Sequence, residues 1–249
     1  MFDAKREKEK IIQFIRKYYE ENQLGGVIIG ISGGKDSAVV AGLFCEALGP
    51  SNVVGVTLPC HSKDEDQKDA LLVSEKFGFP LFNIDLTSIY DLFHKQIDLL
   101  GNFTSENLKN SDINIKPRLR MSSLYYLAPL MSSLKGKTYI VAGTSNKCEI
   151  YVGYFTKGGD GVSDINVLAE LMVSEVIQLG EELGVPKEVL YKTPNDGLSG
   201  VSDEEKLGVT YEEIEKYLRG EEISLESKTK ISQYHRNSLH KFHIPVYQK

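Results

Sequence analysis

A chain of 249 residues, 41% of them hydrophobic, can bury a full core, and without repeats or a low-complexity linker it reads as one domain over residues 1–249. Its formal charge of −6 argues against nucleic acid as the main substrate, because gripping a phosphate backbone takes a basic face. The charged start MFDAKREKEKIIQF lacks a signal's apolar run and no stretch approaches a membrane span, so a soluble, cytoplasmic protein with no membrane partner is expected.

Residues 5–22 carry Ile11, Ile12, Phe14, Ile15, Tyr18 and Tyr19 at helical spacing among charges, an amphipathic packing helix. Gly26–Ile31 is a continuous apolar run, the pattern of a strand buried on both faces. Gly33 and Gly34 then open a turn in which backbone N–H groups can converge, and from about Asp36 the apolar residues Val39, Val40, Leu43, Phe44, Ala47 and Leu48 recur at helical spacing. The turn therefore sits at a helix N-terminus, where free N–H groups and the helix dipole favour an anion, with Ser32 and Ser37 adding hydroxyls. Asp36 repels a bare phosphate, which makes sense if a divalent cation bridges carboxylate and phosphate. The string is neither a Walker A loop nor a G-x-G-x-x-G fingerprint.

Asn52–Leu58 and Leu81–Asp85 read as further strands, with helices over Asp64–Phe77 and near Ser88–Leu100. Alternation of strand and helix predicts an α/β fold: a doubly wound parallel sheet with helices on both faces and ligands at the strands' carboxyl ends. On that rim lies His61, a loop residue for which solvation is the plainer role. Gly101–Lys116 is expected to be a long polar loop. Lys116–Leu134 reads as a helix apolar nearly all round, to be covered by its own domain or by a second copy, with Arg118 and Arg120 able to clamp phosphate or carboxylate.

Thr138–Gly143 is a fourth buried strand, and topology brings the residues after it, Thr144, Ser145, Lys147 and Glu149, towards the first loop. Glu149 is a candidate second carboxylate for the cation at Asp36. Gly153–Asp164, rich in glycine and carrying Lys157, Asp160 and Asp164, is expected to act as a mobile lid. Leu171–Leu183 and Pro186–Leu190 read as helices, Thr193–Gly208 as a second glycine-rich loop, and Thr210 with Glu213 as a capping box. A last helix from Ser224 leads to a basic cluster of His240, Lys241 and His243. Cys45, Cys60 and Cys148, widely spaced and without a C-x-x-C pair, are expected to be reduced structural thiols.

SGGKDS, Ser32–Ser37, resembles the pyrophosphate loop of the N-type ATP pyrophosphatases, which share the adenine nucleotide alpha hydrolase-like fold. Within that group GTSNKCE (Gly143–Glu149), GYFTKGGD (Gly153–Asp160), the KPRLRM segment and the final His-Lys pair are similar, in the same order, to the ammonia-dependent NAD synthetases. The resemblance implies a homodimeric ligase that uses ATP and Mg²⁺ to adenylate the nicotinate carboxylate of deamido-NAD, releases pyrophosphate, and lets ammonia displace AMP. Carried over by position, Gly30, Ile31, Ser32, Gly33, Gly34, Lys35, Asp36 and Ser37, with Thr144 and Asn195, bind ATP. Asp36 and Glu149 bind the metal, and Asp36, Glu149 and Lys157 form the catalytic set. Arg118 or Arg120, Lys157, Asp164, His240 and Lys241 contact deamido-NAD. Ammonia is the expected nitrogen donor, since the glutamine-dependent relatives carry an additional amidase domain.

Four positions depart from the family pattern. Val173 stands where many members have a phosphate-contacting Lys, Asn195 where they have Ser or Thr, Val167 where Pro is usual, and Lys35 where the loop carries an apolar residue. Lys35 is the expected replacement for the charge missing at Val173. A tRNA-modifying relative and a nucleotide-binding homologue without catalysis are the alternatives; paired cysteines and a basic surface, which the former need, are missing.

Overall fold

A strand made only of Gly, Val, Leu and Ile must be covered on both faces, and in the computed structural model of the chain β1 (Leu24–Gly30) is. The structure describes residues 2–62, 64–192 and 202–248, without the side chains at positions 64 and 110. Helix α1 (Ala4–Glu21), capped by the Asp3 carboxylate on the Arg6 N–H, buries Ile11, Ile12, Ile15 and Tyr19 as its spacing predicts. Along β1 the side chains alternate: Val27 and Ile29 enter the core under α1, Ile28 the core on the opposite face.

The chain continues through α2 (Lys35–Leu48), β2 (Val53–Thr57), α3 (Asp64–Phe77), β3 (Leu81–Asn83), α4 (Thr87–Asp98), α5 (Ser105–Lys135), β4 (Thr138–Gly143), α6 (Lys147–Val152) and β5 (Ile165–Asn166). All strand pairings among these are parallel, with Val27 opposite Val53 on one side and Ile140 on the other, in the spatial order β3-β2-β1-β4-β5. Helices α1, α2 and α7 (Val173–Leu183) cover one face; Leu127, Ala128 and Met131 of α5 cover the other. The doubly wound sheet expected from strand–helix alternation is thus present. The winding direction changes between β1 and β4, and at such a switch point a crevice opens outside the carboxyl ends of the strands.

The expected loop over Gly101–Lys116 is a loop only as far as Thr104; from Ser105 it is the start of a 31-residue helix. Its first turns face solvent, so they carry no apolar period, but Thr104 and Asn107 form a reciprocal capping box that starts the helix early. A contact of 2.8 Å between His94 Nε2 and Asp112 Oδ1 and a hydrogen bond of 2.9 Å from the Thr156 hydroxyl to Asn114 hold these turns down. Pro117 and Pro129 lie inside α5, each removing one backbone bond, so the helix relies on packing there.

After α7 come α8 (Lys187–Leu190), α9 (Asp203–Leu207), α10 (Tyr211–Leu218) and α11 (Leu225–Ser238). The end of the second expected loop is therefore helical from Asp203, and its start lies outside the described residues. A third apolar cluster, Cys148, Val152, Val173, Leu207, Val209, Tyr211, Ile214 and Ile231, docks α9, α10 and α11 on α6, while Val189 and Leu190 of α8 join the core under α1. Cys45, Cys60 and Cys148 are buried free thiols, and burial pushes Cys45 and Cys148 up to about 12, which leaves them unreactive.

The expected capping box at α10 is present, and Glu213 also accepts a 2.6 Å bond from the Ser227 hydroxyl of α11. The Ser227 hydroxyl, then the Thr210 N–H, hold its carboxyl below the ordinary 4.5. A depressed folded value means stability that is present above pH 4.5 and lost as pH falls through the folded value. Acid unfolding followed by circular dichroism should therefore be less steep in Glu213→Gln, and an unchanged acid limb would remove this carboxyl from the account.

Candidate active site

Around the switch point lies a cavity of about 370 Å³. Its floor is the whole loop Gly30–Ser37; its walls include Val56–Pro59 after β2, Val141–Ser145 at the end of β4, Arg120 of α5, and Glu149. The loop holds its own shape. The Ser37 hydroxyl donates to the Gly34 carbonyl at 3.1 Å and accepts the Ser32 N–H at 3.2 Å, while the Ser32 hydroxyl accepts the Gly34 N–H at 3.2 Å. Helix α2 begins without a side-chain cap and its first turn lines the cavity, and at such a helix start an anion is favoured.

The two predicted carboxylates meet through a residue the sequence reading passed over. Asn146, fully buried at the start of α6, donates from Nδ2 to Asp36 Oδ1 at 3.2 Å and accepts the Glu149 N–H at 3.1 Å. Glu149 returns the bond, one carboxylate oxygen accepting the Asn146 N–H at 3.0 Å. The signal was in the sequence as Asn-x-x-Glu, a capping box. Burial, then the charge of Asp36, raise the Glu149 carboxyl well above the usual carboxylate range, against the opposing pull of Lys35. Two such hard oxygen donors beside a phosphate cradle fit a Mg²⁺ ion, which commonly takes one or two carboxylates plus substrate phosphates.

Lys35 is only 5% exposed, with Nζ 2.9 Å from Asp36 Oδ2 and 5.8 Å from the ring centre of Tyr211. Burial pulls its pKa down, but Asp36, Glu149 and Asp203 more than offset this, so it stays charged. Asp203 and Lys192 also line the cavity and went unsuspected; Lys192 pairs with Asp66 at 2.9 Å and with Asp69. No apolar period or motif marks either one.

A second group of expected residues stands outside the cavity. Lys157 Nζ donates to the His240 carbonyl at 2.7 Å, and Lys241 Nζ to the carbonyls of Gly153 and Phe155 at 2.7 and 2.6 Å. Arg118 donates to the Lys157 carbonyl, whereas Arg120 donates to the Leu58 carbonyl at 3.1 Å on the cavity wall. Asp164 accepts the Val141 N–H at 2.8 Å and the Tyr125 hydroxyl at 3.1 Å. Gly159, Asp160 and Val162 edge the cavity, so these residues fix the segment at its mouth. Lys147 turns away to Glu170, and His61 pairs with Asp91 at 2.8 Å rather than lining the cavity. Asn195 lies outside the described residues.

A family model described as NAD synthase matches residues 7–245. The chain belongs to the NAD synthase family. It is 40% identical over 242 residues to the NH3-dependent NAD+ synthetase of Alkaliphilus metalliredigens, covering 95% of each chain. Among solved structures it is similar to the NMN synthetase from Francisella tularensis, with 34% identity, a TM-score of 0.89 and 100% and 99% coverage. The NH3-dependent NAD synthetase from Campylobacter jejuni gives 30% identity, a TM-score of 0.77 and full coverage of both chains. Membership makes the chain an ATP-using ligase and favours that reading over the tRNA-modifying alternative. No helix among the described residues is long and apolar enough to cross a membrane.

Proposed function

We propose that the chain, a cytoplasmic enzyme, converts deamido-NAD, ATP and ammonia to NAD, AMP and pyrophosphate. The observation that carries this reading is the convergence of Gly30–Ser37, Thr144, Asp36 and Glu149 on one switch-point cavity in a NAD synthase family member. A nicotinate carboxylate oxygen attacks the α-phosphorus and the bond to pyrophosphate breaks. Ammonia then attacks the acyl carbon, the carbon–oxygen bond to AMP breaks, and the nitrogen loses a proton. Both steps gather negative charge on phosphate oxygens, so aimed N–H groups and cations supply most of the acceleration, with positioning supplying much of the rest. Asp36 and Glu149 would hold Mg²⁺, which when bound neutralises that phosphate charge. Arg120 reaches substrate from the wall, and Arg118, Lys157, Asp164, His240 and Lys241 shape the mouth where the rest of deamido-NAD lies. Incubation with ATP, Mg²⁺, deamido-NAD and ammonium should yield NAD and pyrophosphate one for one; ATP binding without NAD would sink the reading.

One observation favours a second acceptor. The NMN synthetase structure superposes at 0.89 against 0.77 for the C. jejuni NAD synthetase. Making NMN by the same amidation takes nicotinate mononucleotide, and kcat/KM measured on both acceptors decides between them.

Lys35 is the proposed substitute for the phosphate-contacting lysine absent at Val173. In support, Val173 and the Tyr211 ring under Lys35 belong to one apolar cluster. Lys35→Leu should weaken ATP binding about tenfold, the worth of one charge-assisted hydrogen bond. Unchanged ATP affinity and turnover would refute the substitution.

A homodimer is supported by α5, whose Tyr126, Leu130 and Leu134 form one stripe and are 74%, 43% and 69% exposed. Leu130→Asp should sediment as a monomer if a second copy covers this stripe.

A further inference from the structure

We propose that the Lys35 ammonium is a built-in place-holder for the divalent cation, occupying the Asp36 carboxylate in the nucleotide-free protein and yielding it only when nucleotide phosphates arrive. The inference rests on the reading that Asp36 and Glu149 take the metal. Both oxygens of Asp36 already have partners: Oδ2 has Lys35 Nζ at 2.9 Å, and Oδ1 has Asn146 Nδ2 at 3.2 Å. Asn146 is fully buried and tied to α6 in both directions, so it cannot leave cheaply. Lysine, on a flexible stem, is the partner that can.

Its surroundings explain why it stays without nucleotide. Asp36 holds the ammonium at 2.9 Å, Lys35 is only 5% exposed, and the ammonium lies over the Tyr211 ring at 5.8 Å. A divalent cation entering alone must displace this ammonium or sit beside it, and like charges a few ångströms apart in a buried site repel by kilocalories. Incoming phosphates remove the conflict, because they bring negative charge and a new acceptor for the lysine. Metal then enters with nucleotide, and the ammonium that held Asp36 becomes available to the pyrophosphate.

The test is Mn²⁺ titration of the nucleotide-free protein, with free Mn²⁺ followed by electron paramagnetic resonance, a readout independent of catalysis. Lys35→Met and Lys35→Gln should each bind Mn²⁺ at least about tenfold more tightly than the wild-type chain, since a competing buried charge is gone. Lys35→Arg should stay as weak as the parent, and adding Asp36→Asn to Lys35→Met should cancel the gain. Equal Mn²⁺ affinity in parent, Lys35→Met and Lys35→Gln overturns the proposal. If neither the parent nor any Lys35 variant takes up Mn²⁺, the metal assignment falls and the place-holder with it. Failure of the NAD assay alone leaves the Mn²⁺ comparison standing.

Discussion

Asp36→Asn should lower kcat/KM by on the order of 10²–10³, the usual loss when one preorganised group stabilising transition-state charge is removed. Asn keeps the volume and can still meet Asn146, so the cavity should keep its shape. What disappears is the negative charge that pairs with Lys35 at 2.9 Å and would hold the cation. Stability should also fall, because a buried ammonium loses its nearest partner; breaking a buried pair outright costs about 3–5 kcal/mol, and Glu149 and Asp203 reduce that here. Steady-state kinetics and thermal melts with and without Mg²⁺·ATP separate the two effects. Near-normal turnover in a folded Asp36→Asn protein would remove this carboxylate from the chemistry.

Gly33→Ala should damage ATP binding far more than Gly34→Ala, although the glycines are adjacent. Gly33 has φ +80°, where a side chain is strained by about 1–2 kcal/mol, and a Cβ there would lie 2.6 Å from the Asp66 carbonyl oxygen. That oxygen belongs to the backbone of α3, whose Asp66 and Asp69 side chains hold Lys192 at the cavity wall, so relief would disturb both. A Cβ on Gly34, at φ −105°, would meet nothing closer than the Ser32 hydroxyl at 3.4 Å. Isothermal titration with ATP should show a loss of about tenfold or more for the first variant, one to two kilocalories, and little for the second. Equal losses would mean that the loop is not held against α3 in the working enzyme.

The long polar start of α5 shows where sequence reasoning stops. Apolar periodicity registers only faces that are buried, and Ser105–Ile115 is mostly solvated, so its helicity is written in one cap and two long-range contacts rather than in a period. The same limit hid Asp203 and Lys192, single polar residues that matter only because distant segments bring them to one cavity. Asn146 was legible in part, since its capping partner is three residues away, whereas its bond to Asp36 spans 110 positions.

By itself the sequence determined the parallel sheet, the glycine turn between the first strand and the next helix, and kinship with an ATP-using synthase. Those properties are local: an apolar run, a glycine pair and a helix start act over a few residues, and four ordered motifs need no folding to be read. Only the tertiary structure decided that Asp36 and Glu149 share one asparagine, that Arg120 and not Arg118 lines the cavity, and that Lys35 rests on Asp36. The physical reason is that charge coupling depends on distance and burial, and both are set by how β1 and β4 lie side by side, not by the order of residues along the chain.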